Sequence, residues 1–226
     1  MNASPRNFVT RCFVYLSLAL WFLIALRIGL RGGFSSRPGL PPIALGLAVL
    51  VPIAIYSLVY ADRGWFWKYC QSFDLRVLTA LHLWRFVGID FIVNWWNGKL
   101  PAGFSLPAGG GDIVVALTVV PLFYALGRNA RSAKRWFIAW NIFGLADLVV
   151  AIAMGILHSG SPIGILAGNG PTTVLMSQFP RSLIPTFFVP LFMLLHMLAL
   201  SRARELGEPT RRGGDNLGSL GLSGCA

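Results

Sequence analysis

The sequence predicts an all-α fold, a polytopic membrane bundle of about six transmembrane helices. Three observations lead to this prediction. First, 55% of the 226 residues are hydrophobic and the mean hydropathy is +0.66. Second, only 12% are charged, whereas a soluble globular domain carries about 25%. Third, the apolar residues form segments of roughly 20 residues, the length that crosses a bilayer. This composition excludes a soluble enzyme and a disordered chain.

The first two predicted helices are apolar segments with few interruptions. The first covers about 12–30 and contains only Arg27 as a charge, near an end where a long side chain can reach the interface. Basic residues precede it, as in a signal peptide. Because no small-residue cleavage site follows, we predict a retained helix. The second covers about 40–61 and has no charge, and Pro52 at its centre predicts a kink.

The other four predicted helices contain prolines or polar side chains. They cover about 75–98, 113–127, 136–157 and 182–201. Together the six helices form one predicted transmembrane domain over 1–203. The remainder, 204–226, is rich in Gly and Arg and has too few apolar residues for a core. We therefore expect a disordered cytoplasmic tail.

Two connections between helices are uncharged and rich in Gly and Pro. The stretch between Lys99 and Asp112 reads LPAGFSLPAGGG, and a similar stretch lies between His158 and Arg181. Irregular backbone at membrane depth is tolerated only where it is buried in protein or lines a cavity. These two outer loops are therefore interpreted either as re-entrant segments that form a lid or pore lining, or as neutral packing loops.

The basic residues predict the orientation in the membrane. With both termini inside, thirteen Lys and Arg residues lie on the cytoplasmic side and five on the other, as the positive-inside rule requires. We expect an integral protein of a bacterial cytoplasmic (inner) membrane. Its expected partners are the lipid bilayer and anionic lipids at the cytoplasmic face. The net charge of +11 does not predict nucleic-acid binding, because the basic residues lie at segment ends.

Polar side chains inside the predicted helices mark the candidate site. A charged side chain at mid-bilayer needs a partner or a wet cavity. Arg85 is the only cation near mid-membrane, and we expect it to pair with Asp147 or Asp90. Such a pair either fixes helix packing or belongs to a substrate-binding or proton-relay site. The candidate residues are Arg85, Asp90, Asn94, Asn141, Asp147, His158 and Asp112. Asp112 has the alternative role of N-cap for the fourth helix.

Two histidines suggest a second chemistry. His82 and His196 are each roughly 10 Å from the cytoplasmic boundary of their predicted helices. Two histidines that face each other across a bundle can ligate a b-type haem. The alternative is a pair of hydrogen-bonded intramembrane histidines.

Three classes of function remain open from the sequence. The leading hypothesis is a protein that binds or translocates a small solute, a proton or a lipid-like molecule between helices three to five. The alternatives are a membrane redox protein with haem b, and a non-catalytic assembly or scaffold subunit, as a homo-oligomer or in a membrane complex. Whether the protein is an enzyme is left open, and the motifs argue against it: there is no HExxH, and glutamate is absent before residue 205. The sequence does not identify the small-molecule ligand.

Overall fold

The computed structural model describes residues 5–35, 40–62, 64–128 and 131–205. Within these ranges the chain is helical and contains no strand, which confirms the predicted all-α class. The predicted disordered tail lies outside the described residues from position 206 onward.

Eight α-helices make up the described part of the chain. They are α1 (Pro5–Leu30), α2 (Ile43–Ala61), α3 (Trp65–Cys70), α4 (Leu75–Leu81), α5 (Gly88–Trp96), α6 (Ala102–Gly127), α7 (Arg131–Leu157) and α8 (Val189–Glu205). A 3₁₀ segment, His82–Val87, joins α4 to α5, and a second one covers Thr173–Ser177. A π-helical turn, Ile184–Phe188, leads directly into α8.

Six helical segments of the described chain are long and apolar enough to cross a membrane, so the protein is an integral membrane protein. We refer to them in chain order as the first to sixth spans. They are Val9–Leu30, Ile43–Ala61, Leu75–Trp96, Ala102–Gly127, Ala133–Leu157 and Ile184–Ala203. The first two expose most of their apolar side chains, as lipid-facing helices do. The other four contribute most of the buried residues.

The third span is not the continuous α-helix that the sequence predicts over about 75–98. Its centre is the 3₁₀ segment His82–Val87. In a 3₁₀ helix, side chains three residues apart lie directly above one another. His82 and Arg85 have this spacing and both face the bundle interior, with exposures of 1% and 0%. The local tightening therefore aligns the two polar side chains along one buried edge.

The fourth span begins eleven residues earlier than the predicted helix at 113. The Gly/Pro-rich stretch after Lys99, interpreted from the sequence as an outer loop, is helical from Ala102 onward, and Pro107 lies inside the helix. Glycine and proline break helices in water but are common in transmembrane helices, where the main chain has no water to bond. The small residues let α6 pack against α5, α7 and the 3₁₀ segment His82–Val87.

The buried apolar side chains form two separate clusters. The first contains Leu78, Val119, Phe137 and Leu198, and it lies toward the Leu75 end of the third span. The second contains Phe91, Phe104, Met176 and Ile184 among others, and it lies toward the Trp96 end. We call them the Leu75-side cluster and the Trp96-side cluster. Arg85, Asp112 and Asp147 lie between the residues of these two clusters along their spans.

Candidate functional site

The guanidinium of Arg85 is the centre of the candidate site. Its Nε donates to Asp112 Oδ1 at 2.5 Å, and its Nη2 donates to Asp147 Oδ2. Its Nη1 contacts the main-chain oxygen of Gly144 at 3.1 Å and Nε2 of His196 at 3.2 Å. The side chain is fully buried. One cation thus connects the third, fourth, fifth and sixth spans.

The hydrogen bonds around His196 identify its tautomer. Asn141 donates through Nδ2 to the main-chain oxygen of Phe137 at 2.8 Å, so its Oδ1 faces His196 Nδ1 at 2.9 Å as an acceptor. His196 therefore carries its proton on Nδ1 and donates it to Asn141. Its Nε2 is left with the lone pair that accepts from Arg85, since a guanidinium only donates. The imidazole is neutral in this arrangement.

We call Arg85, Asp112, Asp147, Asn141 and His196 the polar cluster. Its formal charge is −1 when both carboxylates are ionised, because Arg85 contributes +1, the two aspartates −2, and the amide and neutral imidazole nothing. The side chains of Asp112 and Asp147 are 9% and 7% exposed. The donors of the cluster are occupied by its own acceptors, and one negative charge is left that no cation of the cluster balances.

Two glycines let the helices approach closely enough to form the cluster. A Cβ on Gly111 would overlap the carboxylate of Asp147, and a Cβ on Gly144 would overlap the imidazole of His196. The latter would also lie 3.1 Å from Arg85 Nη1. Neither glycine is among the candidate site residues that the sequence predicts. The signal that could have found them is a glycine within one turn of a deep aspartate, since small residues mark close helix contacts in membranes.

His82 lies beside the polar cluster without a hydrogen bond. Its ring stacks on His196 with centroids 3.9 Å apart and an interplanar angle of 23°. Trp140 and Phe192 cover its other sides at centroid distances of 5.2 and 5.5 Å. Both ring nitrogens are buried, and neither has a partner among the residues that the structure describes.

The two histidines do come together, but their arrangement does not fit the haem hypothesis. A bis-histidine haem places the iron between two ring nitrogens and the porphyrin plane between the two rings. Rings stacked face to face at 3.9 Å leave no space for a porphyrin. In addition, both nitrogens of His196 are already engaged with Arg85 and Asn141. These residues therefore extend the polar cluster and are not haem ligands in this arrangement.

Asp90 forms a separate pair toward the Trp96 end of the third span. Arg85 pairs with Asp147, which is one of its two expected partners, and it also pairs with Asp112. Asp90 instead accepts two hydrogen bonds from Arg181, at 2.8 Å from Nε and 3.0 Å from Nη2. Five residues turn a helix by roughly 500°, so Asp90 faces well away from Arg85. The expected Arg85–Asp90 pair is therefore corrected to Arg181–Asp90.

The remaining predicted site residues do not join the polar cluster directly. Asn94 donates from Nδ2 to the main-chain oxygen of Asp90 at 2.6 Å, within its own helix. His158 lies at the end of the fifth span, where its Nδ1 contacts the Met154 main-chain oxygen at 3.0 Å. Asp112 is not an N-cap, because α6 begins ten residues earlier at Ala102.

Comparison with known proteins gives one positive result. No curated protein and no solved structure matches the chain. A family model described as "Domain of unknown function (DUF8737)" matches residues 40–204. This range contains the whole polar cluster, His82 and the second to sixth spans. Because the match covers well over half of the 226 residues, the chain belongs to this family.

Proposed function

We propose that the polar cluster is a proton-binding site and that the protein uses it to bind or translocate a small solute or protons across the membrane. The observation that carries the proposal is that two buried carboxylates, Asp112 and Asp147, share the single guanidinium of Arg85. Two buried carboxylates with one guanidinium between them leave one negative charge unbalanced, and a bound proton would balance it.

The charge balance supports proton uptake. A net charge held near the middle of a bilayer costs several kcal/mol. A proton on Asp112 or Asp147 changes the formal charge of the cluster from −1 to zero. The other titratable groups that face this site are His82 on the third span and His196 on the sixth. His196 is held neutral by its two hydrogen bonds, so the carboxylates are the groups that accept the proton.

The position of the cluster supports a role that involves opening and closing. The Leu75-side and Trp96-side clusters separate it from both ends of the bundle. A proton or solute reaches the site only when one of these apolar layers opens. This is the arrangement expected of a site that is accessible from one side of the membrane at a time.

The orientation and environment form part of the same proposal. Both termini face the cytoplasm, and the protein lies in a bacterial inner membrane, where its basic ends contact anionic lipids. A homo-oligomer or a partner subunit in the membrane is compatible with the exposed apolar faces of the first two spans.

Infrared difference spectroscopy tests the proposal. The purified protein in lipid bilayers is titrated with acid, and the C=O stretching band of a protonated carboxyl group is followed. We expect a band that shifts or disappears in Asp112→Asn and Asp147→Asn and that persists in Asp90→Asn. Asp90 is the matched control because it is an aspartate of the third span whose partner is Arg181.

A flux measurement completes the test. Proteoliposomes that contain a pH-sensitive dye report proton movement driven by a pH gradient. We expect flux in the natural protein and in Asp90→Asn, and a loss of flux in Asp147→Asn. If neither a carboxyl band nor flux is found, and the cluster variants change only thermal stability, then the cluster serves helix packing in a scaffold subunit.

A further inference from the structure

The imidazole of His82 is a buried polar group that the polar cluster does not satisfy. Its exposure is 1%, and neither Nδ1 nor Nε2 has a hydrogen-bond partner within the described ranges. A neutral imidazole has one N–H donor and one lone-pair acceptor, so it needs two partners. Leaving both unsatisfied in a membrane interior is unfavourable. Such a group in a native structure calls for a function or an unseen solvent molecule.

Ring packing alone does not explain why this side chain is a histidine. His82 stacks on His196 and meets the rings of Trp140 and Phe192. A phenylalanine would make similar ring contacts without two unsatisfied nitrogens. By contrast, the neighbouring indole of Trp140 donates to Thr118 Oγ1 at 2.9 Å. The nitrogens of His82 therefore point to hydrogen bonds with molecules other than the protein.

The position of His82 connects the polar cluster to one side of the bundle. It lies one 3₁₀ turn before Arg85 on the same buried edge of the third span. Its ring covers His196, which accepts from Arg85. Beyond it, toward the Leu75 end, the core consists of the apolar Leu75-side cluster, which includes Leu78 and Phe137. His82 is thus placed between the cluster and that apolar layer.

We infer that His82 binds water inside the bundle and that it passes protons between this water and the polar cluster. The inference rests on the proposed function and names the route that the proton takes. A hydronium ion donates a proton to the unprotonated nitrogen of His82 and is left as water. The opposite nitrogen releases its own proton to a second water, which passes a proton on to the carboxylate of Asp112 or Asp147 and remains water. The imidazole is left as the other tautomer, so no net charge remains on the ring. A ring flip then restores the first tautomer, and one proton has been transferred.

Solid-state NMR of the protein in lipid bilayers tests water binding directly. The chain has three histidines, so ¹⁵N-histidine labelling gives few signals, and single substitutions assign them. We expect magnetisation to pass from water to the ring nitrogens of His82. The ring of His196 is the internal reference, because protein groups occupy both of its nitrogens. Absence of water contact at His82 across the pH titration would overturn the inference.

Two substitutions at position 82 test proton transfer. His82→Phe keeps the ring contacts and removes both nitrogens, and His82→Gln keeps hydrogen bonding but does not relay protons at neutral pH. We expect both to reduce flux into proteoliposomes by about 100-fold, the lower range for a positioned proton-transfer group. The thermal midpoint of His82→Phe should be unchanged or higher. Undiminished flux in both variants would overturn the inference. If His82→Phe does not fold, the flux of His82→Gln alone tests the inference in the same way.

The carboxyl band separates this inference from the proposed function. In both His82 variants we expect the infrared band of the cluster to keep the pH midpoint of the natural protein, because the carboxylates are unchanged. If the natural protein shows no such band, the proposed function fails whatever His82 does. If the band is present but His82 has no water contact and its variants conduct normally, only the role of His82 fails.

Discussion

Gly111→Ala tests whether close helix contact at the polar cluster is essential, and Gly110→Ala is its matched control. The added Cβ at position 111 would overlap the carboxylate of Asp147, whereas a Cβ at position 110 meets nothing within 4 Å. The two glycines are adjacent in α6. Any general effect of replacing glycine by alanine in this helix is therefore common to both variants.

The magnitude follows from three contributions. Alanine favours the helix over glycine by about 0.5–1 kcal/mol at either position. At position 111, overpacking costs about 1–3 kcal/mol. Displacing Asp147 also weakens its buried pair with Arg85, and losing one partner of such a pair costs about 3–5 kcal/mol. We expect Gly111→Ala to destabilise the fold by roughly 2–4 kcal/mol, since Asp147 can shift partly.

Thermal unfolding in lipid nanodiscs, followed by tryptophan fluorescence, provides the measurement. A loss of this size lowers the midpoint by roughly 5–15 °C on the scale of soluble domains of this length. Gly110→Ala should leave the midpoint unchanged or raise it slightly. Equal midpoints for the two variants would refute the argument that Asp147 and α6 are in direct contact.

Three further predictions follow from the described contacts. Arg85→Gln leaves two buried carboxylates without their cation and should destabilise the protein by about 3–5 kcal/mol. Arg181→Gln breaks a partly exposed pair and should cost no more than about 1 kcal/mol. Thermal midpoints compare the two variants, and equal losses would contradict the placement of Arg85 as the buried partner of both carboxylates. Asn141→Leu leaves the Nδ1–H of His196 without an acceptor and should cost about 1–3 kcal/mol, and an unchanged thermal midpoint would contradict this contact. Burial raises the pKa of the Cys70 thiol to about 12, so in a variant that lacks Cys12 and Cys225 maleimide should label it slowly in the folded protein at neutral pH and readily after unfolding. Because the unfolded thiol loses its proton first, stability should fall as pH rises above about 9. Rapid labelling of this folded variant would show that the Cys70 thiol is accessible.

The spans were predictable because their signal is local. Each is a run of apolar residues long enough for a bilayer, and this requirement needs no knowledge of the neighbours. The exception is the fourth span, whose first half is rich in Gly and Pro and was interpreted as a loop. Helix propensity in water favours that interpretation. In the membrane the main chain must bond to itself, so the same residues stay helical.

The composition of the site was only partly predictable. Arg85 and Asp147 could be expected to pair because few charged side chains lie deep in the predicted helices. Asp112 was included, but its contact with Arg85 depends on where α6 begins. The stacking of His82 on His196 depends on helix rotation and on the 3₁₀ segment, neither of which periodicity reveals. The orientation of the protein and its proposed lipid partners stay predictions.

The depth of the polar cluster has an electrical consequence. Arg85 lies ten residues from Leu75 and eleven from Trp96, so the cluster is near the middle of the third span. A proton that reaches it from either aqueous phase therefore crosses about half of the membrane potential, worth roughly 1.2 kcal/mol per 100 mV. If the cluster binds a proton as proposed, its occupancy depends on voltage as well as on pH. An energised membrane would fill it from one side and empty it toward the other.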